Sequence, residues 1–166
     1  MKLELLRGIV LFVVLLLLQV LVLNHIHLFN CATPLLYVYI AMKFSRSSSR
    51  WSVLLLSFLM GLIIDIFQNT PGVAMATMTF IGLIQPRVLE VFMQQDSEAD
   101  IVPSMRTLGV TKFSYYSFVI TFMYCLVFFT LETFTFFNWL QWLETVAAST
   151  LLTYILILVL ENIRRR

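Results

Sequence analysis

The stretch Gly61-Leu62-Ile63-Ile64-Asp65-Ile66-Phe67-Gln68-Asn69-Thr70-Pro71-Gly72 closes one apolar run, breaks it, and opens another. A single carboxylate stands inside the first run, just ahead of a polar Pro-Gly break. An acidic side chain within a membrane-spanning segment is expensive, so it marks a packing or functional centre. In lipid the backbone must satisfy its own hydrogen bonds, so the apolar runs on either side read as helices.

The rest of the chain repeats that pattern. Its 166 residues are 60% hydrophobic and 12% charged, with a mean hydropathy of +0.93, which excludes an ordinary soluble domain. The expectation is an all-α, polytopic membrane protein forming one integral membrane domain over residues 1–166. Apolar length and loop charge place six transmembrane helices at about 8–24, 31–42, 51–67, 71–89, 113–131 and 143–160. The fourth is expected to overrun Pro86 with a kink.

The second span is short. Its twelve residues rise only ~18 Å as a helix, against a hydrocarbon core of ~30 Å. It either borrows residues from 27–30 or is re-entrant. Charge arbitrates. Six spans with a cytoplasmic N-terminus put all eleven basic residues on one side, whereas five would set the Arg164-Arg165-Arg166 tail opposite Lys2 and Arg7. The positive-inside rule therefore predicts six spans with both the N- and C-termini cytoplasmic.

Lys2 and Arg7 ahead of an apolar run imitate a secretion signal, but the run is long and no small-x-small cleavage site follows. Asn30 stands where a lipoprotein site before Cys31 would need a small residue, so the first helix is expected to be retained. Cys31 and Cys125 lie at different depths and read as small packing residues, not as a disulfide or metal pair.

Among the outer loops, 132–142 is the longest. Glu132, Phe134, Phe136, Phe137, Trp139 and Trp142 suit an interfacial aromatic belt, with docking of an outside partner as the alternative. On the inner side, the basic, Ser-rich turn from Lys43 to Arg50 suits anionic headgroups of the bilayer. The long loop from Arg87 to Lys112 turns acidic at Asp96, Glu98 and Asp100, and reads as a solvated connector or as a contact surface for a cytoplasmic partner.

Asp65 lies about fourteen residues into the third span, hence ~21 Å deep and in the outer half. Thr70 and Pro71 have the look of an N-cap and first helical residue of the fourth span, whose N-terminus would offer free N–H groups and a positive dipole end. Two roles are open for Asp65. It either locks the hairpin against that N-terminus, or Gln68 and Asn69, or it receives a partner's polar group; the structural role is the plainer one. Gly72 and Ala76 make a small-xxx-small pair, and Thr145, Ser149 and Thr153 recur every four residues as a hydroxyl face. Both suit close helix packing, internal by default or with another protein's helix.

An enzyme is hard to build from this inventory. A paired-aspartate protease needs a second buried acid, His25 and His27 diverge on a helix, and no zinc spacing, phosphate loop or nucleophile triad is present. No catalytic residue, metal site or cofactor is expected, and nothing points to nucleic acid. A small-molecule (vitamin-type) transporter subunit is the rival reading, with Asp65, Glu132, Asn24 and His25 lining an outer pocket. Against it, the first helix lacks the Ala-xxx-Ala motif of such substrate-binding subunits, and polar residues are scarce in mid-span.

Gly61-xxx-Asp65 followed by Asn69-Thr70-Pro71-Gly72 and a second apolar run resembles the signature region of the MreD family. The likeness continues through Gln85-Pro86-Arg87, Pro103, Gly109, Lys112-Phe113, Phe129, Leu131-Glu132 and Phe134, about the middle half of the chain. The first two spans and the last helix match it only in hydropathy. The resemblance implies a non-enzymatic scaffold of the bacterial inner membrane that maintains cell shape. It implies as partners the single-span periplasmic protein MreC, the cytoplasmic filament protein MreB, and the glycosyltransferase RodA with its penicillin-binding transpeptidase. It also implies a helical fold shared with the vitamin-binding subunits, so fold alone does not choose between the two functions.

Overall fold

A computed structural model describes residues 2–21, 33–45, 48–93, 102–133 and 138–165, the side chains among residues 2–21 from Val10 onward. Every regular element among them is a helix: α1 (Lys2–Leu21), α2 (Val38–Met42), α3 (Arg50–Gln68), α4 (Val73–Phe92), α5 (Val110–Thr133) and α6 (Trp139–Arg165). Three of these are long and apolar enough to cross a membrane, namely α3, α5 and residues Trp139–Arg164 of α6. Their outward faces are apolar as well, with Leu55, Ile66, Tyr115, Leu151 and Ile155 all more than half exposed. Such an exterior suits lipid, where burial of polar groups and not of apolar ones organises the bundle.

The tightest pairing is between α3 and α4. It depends on two glycines on different helices. A Cβ added at Gly61 would lie 2.4 Å from Met75 Cα, and one at Gly82 would lie 2.7 Å from Ser57 Oγ. The close approach expected of Gly72 and Ala76 is therefore made by other small residues: Gly72 is the N-cap of α4 at φ +86°, and Ala76 faces outward. α4 continues through Pro86 to Phe92.

The segment foreseen as a second membrane helix differs most from expectation. Among its described residues it is helical only over the five residues Val38–Met42, a rise of ~7.5 Å. Pro34 disfavours helical backbone at Thr33, and i→i+3 bonds from Val38, Tyr39 and Ile40 to Leu35, Leu36 and Tyr37 make a tighter turn ahead of the helix. Residues 34–42 are nevertheless buried throughout, at the centre of the bundle. Irregular backbone at such depth is tolerated only where protein groups satisfy it. Side chains of four helices do so here. Gln19 of α1 donates to Pro34 O at 2.9 Å and accepts from Leu36 N at 3.1 Å. On α6, Ser149 Oγ accepts from Thr33 N and Thr153 Oγ1 from Leu35 N, each at 3.1 Å. At the other end, Tyr116 of α5 donates to Met42 O at 3.2 Å, and Gln85 of α4 donates to Phe44 O at 3.1 Å and to the Tyr116 hydroxyl at 2.9 Å.

These contacts also fix a direction. Thr33 meets Ser149, Leu35 meets Thr153, and both Tyr39 and Lys43 meet Glu161. The segment thus runs beside α6 over a stretch that rises ~18 Å. An extended residue advances about twice as far as a helical one, which is how a chain with so little helix covers that distance. Tyr124, Phe113, Met60, Ile64 and Met78 share one core with its Tyr37, all fully buried. The Tyr37 and Tyr124 hydroxyls hydrogen-bond to each other, with their rings edge to face at 5.6 Å.

Candidate functional site

The turn between α3 and α4 is built around Asp65. α3 ends at Gln68 with Asn69 as its C-cap, in the left-handed conformation at φ 56° that asparagine tolerates better than most residues. Asp65 O accepts from both Asn69 N and Thr70 N, which closes the last turn. The Asp65 side chain then reaches past that turn to the next helix. Its Oδ1 accepts from Thr70 Oγ1 and Ala74 N, both at 2.9 Å, and its Oδ2 accepts from Met75 N at 2.8 Å.

The cap of α4 is therefore supplied from α3. Gly72, the N-cap residue, has no side chain to offer, and Thr70 and Pro71 lie in the turn before the helix begins at Val73. The expected capping role of Thr70 is replaced by a bond to the carboxylate that takes over the cap. The physical reason is charge: a carboxylate at the positive end of the helix dipole, bridging two free N–H groups, binds them more strongly than a neutral hydroxyl. Asp65 is 8% exposed, and both oxygens are engaged.

Next to it lies an open groove of ≈ 380 Å³ lined by Leu62, Asp65, Ile66, Asn69, Pro71, Gly72 and Met75. A second groove of ≈ 340 Å³, lined by Phe58, Met75, Ala76, Thr79, Phe80 and Leu83, shares Met75 with the first. Both grooves lie on the α3/α4 face, with Gly72 lining the first and Ala76 the second.

The remaining residues singled out from the sequence fall elsewhere. Ser149 and Thr153 grip the unwound segment, whereas Thr145, on the same face, bonds to Gln141 O in its own helix at 2.9 Å. Trp139 is 64% exposed, Trp142 is half-buried, and Glu132 is exposed at the end of α5. Phe134 lies outside the described residues, as do Asn24, His25, His27, Cys31 and the acidic stretch 96–100. Cys125 is buried and free.

A second polar centre, missed from the sequence, lies at the opposite end of the bundle from the Asp65 turn. Lys43 was expected to face headgroups, but it turns inward. Its Nζ pairs with Glu161 at 2.8 Å and donates to Pro103 O at 2.7 Å. Glu161 also accepts from the Tyr39 hydroxyl and, at 3.2 Å, from Met105 N. The Lys43 ammonium stands 5.0 Å from the Tyr39 ring centre and 5.5 Å from that of Phe113. Burial lowers its pKa below the ordinary lysine value, and Glu161 pulls it partly back. The one signal available in the sequence was an acid, Glu161, directly after a long apolar run.

Comparison with known families finds one match: the model of the rod shape-determining protein MreD aligns with residues 1–162. No curated protein and no solved structure matches the chain.

Proposed function

The chain belongs to the MreD family of rod shape-determining proteins, and from that premise we propose that it is a non-catalytic scaffold of the bacterial cell-elongation machinery. In this reading it is a multi-pass protein of the inner membrane that crosses six times with both ends cytoplasmic. It binds the single span of MreC laterally, and through its inner loops it faces MreB filaments. RodA and its penicillin-binding transpeptidase complete the assembly, so the protein would couple the filament to peptidoglycan synthesis.

The observation that carries this reading is the family match, which extends over residues 1–162 and so includes the helices whose likeness was only hydropathic. The site supports it. The carboxylate at the α3–α4 turn is consumed by structural hydrogen bonds, and the mainly apolar grooves on that face suit one membrane helix better than a polar ligand. Six crossings rest on the distribution of basic residues, since the ~18 Å that the second segment runs beside α6 is shorter than a ~30 Å hydrocarbon core.

The rival reading, a vitamin-type transporter subunit, draws on that same broken segment, since discontinuous helices line many transporter sites. Yet Gln19, Ser149 and Thr153 spend their polar atoms on the backbone of 33–36. Affinity purification from native membranes separates the two. The scaffold yields a single-span periplasmic partner, and its depletion rounds rod-shaped cells; the transporter yields a small molecule in the mass spectrum of the denatured protein.

A further inference from the structure

Segment 102–108 buries Pro103 and Met105, with Leu108 packed against the core. Val102, Arg106 and Thr107 are exposed, and the turn is held internally by Ser104 and Thr107 bonding each other. Beyond that packing, the pair described above ties it to the bundle, and the two partners hold it by two different backbone groups. Lys43 Nζ takes Pro103 O, and Glu161 takes Met105 N. The same two side chains also fix the end of the buried segment, because Lys43 directly follows α2 and Glu161 accepts from Tyr39 inside it.

We propose that the Lys43–Glu161 pair is a latch that couples the 102–108 segment to the buried segment 33–45, so that the two are released together. The side chains of the pair are only 10% and 5% exposed. Moving 102–108 away from the bundle removes one bond from each charge and admits water to both. Water then solvates both charges and weakens their attraction to each other, and Tyr39 loses a firmly held acceptor. Coupling of this kind is reciprocal: loosening α2 frees the 102–108 segment, and drawing on that segment loosens α2. A partner that grasps residues 102–108 thereby acts on the unwound element beside α6 without touching it. The Asp65 carboxylate bonds to Thr70, Ala74 and Met75, at the end of α4 remote from the Gln85 bond to Phe44 O, so the turn stays out of the transition.

Hydrogen–deuterium exchange of the full chain in lipid nanodiscs tests the coupling, comparing the native protein with Glu161→Gln. Loss of one charge-assisted bond is expected to speed exchange by about tenfold or more, at both 103–108 and 38–43, with 60–66 and 74–81 unchanged. Acceleration at 103–108 alone, or at neither segment, overturns the proposal, as does uniform acceleration that includes the hairpin. If Glu161→Gln does not fold, Tyr39→Phe removes one donor and keeps both charges. A smaller acceleration shared by the two segments supports the latch, and one confined to 38–43 contradicts it.

Discussion

Asp65 Oδ2 accepts the Met75 backbone N–H at 2.8 Å, across ten positions of sequence and from one helix to the next. A single side chain thus does for α4 what its own N-cap, Gly72, cannot do. The turn and the start of α4 depend on that carboxylate, while the close spacing of the helix pair depends on Gly61 and Gly82.

Asp65→Ala leaves the Ala74 and Met75 N–H groups and the Thr70 hydroxyl without their acceptor. Hydrogen bonds to a charged group contribute about 1.5–3 kcal/mol each, and an unsatisfied buried donor costs about 1–3 kcal/mol. Because the turn can relax, the net loss should be ~2–4 kcal/mol, with Asp65→Asn losing less since an amide keeps one acceptor. Thermal unfolding in mild detergent reads both variants; equal midpoints for native and Ala forms would contradict the lock.

Gly61 and Gly82 make a graded pair. A methyl at Gly61 meets the backbone of Met75, which cannot turn aside, whereas one at Gly82 meets the Ser57 side chain, which can. Gly61→Ala is therefore expected to cost about 1–3 kcal/mol as an overpacking change, and Gly82→Ala clearly less. The order of the two melting midpoints checks this.

Gln19→Leu removes two bonds to the unwound backbone at once, those to Pro34 O and Leu36 N. Thr153→Val removes only the acceptor for Leu35 N. Each orphaned buried backbone group costs about 1–3 kcal/mol, so Gln19→Leu should be the more destabilising and should expose 34–37 to hydrogen exchange. Protection of those amides in Gln19→Leu at the native level would show that the clamp is dispensable.

The two helices of the hairpin and the importance of its acid were legible in the sequence, because Asp65 is an acid inside an apolar run and Pro71-Gly72 directly follows. The Thr145, Ser149 and Thr153 row was legible as a face, but what it grips was not. The backbone it holds is 116 and 118 residues away at Ser149 and Thr153, and no local pattern encodes such a pairing. Lys43 was misplaced for the same reason. A lysine beside serines reads as solvated until the fold brings Glu161 and Pro103 to it. Ala76 satisfied a spacing rule but sits on the outward face, since the rule does not say which side of a helix its partner occupies.

That outward position makes Ala76 the most direct probe of the scaffold account. Ala76→Trp fills the groove between Phe58, Met75 and Phe80 without entering the core or touching Asp65. Tagged native and Ala76→Trp chains, purified from native membranes at matched expression and with matched melting midpoints, are compared for the amount of MreC retained. The account predicts that the native chain retains MreC and that the tryptophan variant loses about tenfold or more of it, the scale of ~1.4 kcal/mol in affinity. Equal retention by both chains would contradict the groove as the binding face, and no MreC with the native chain would contradict the scaffold itself.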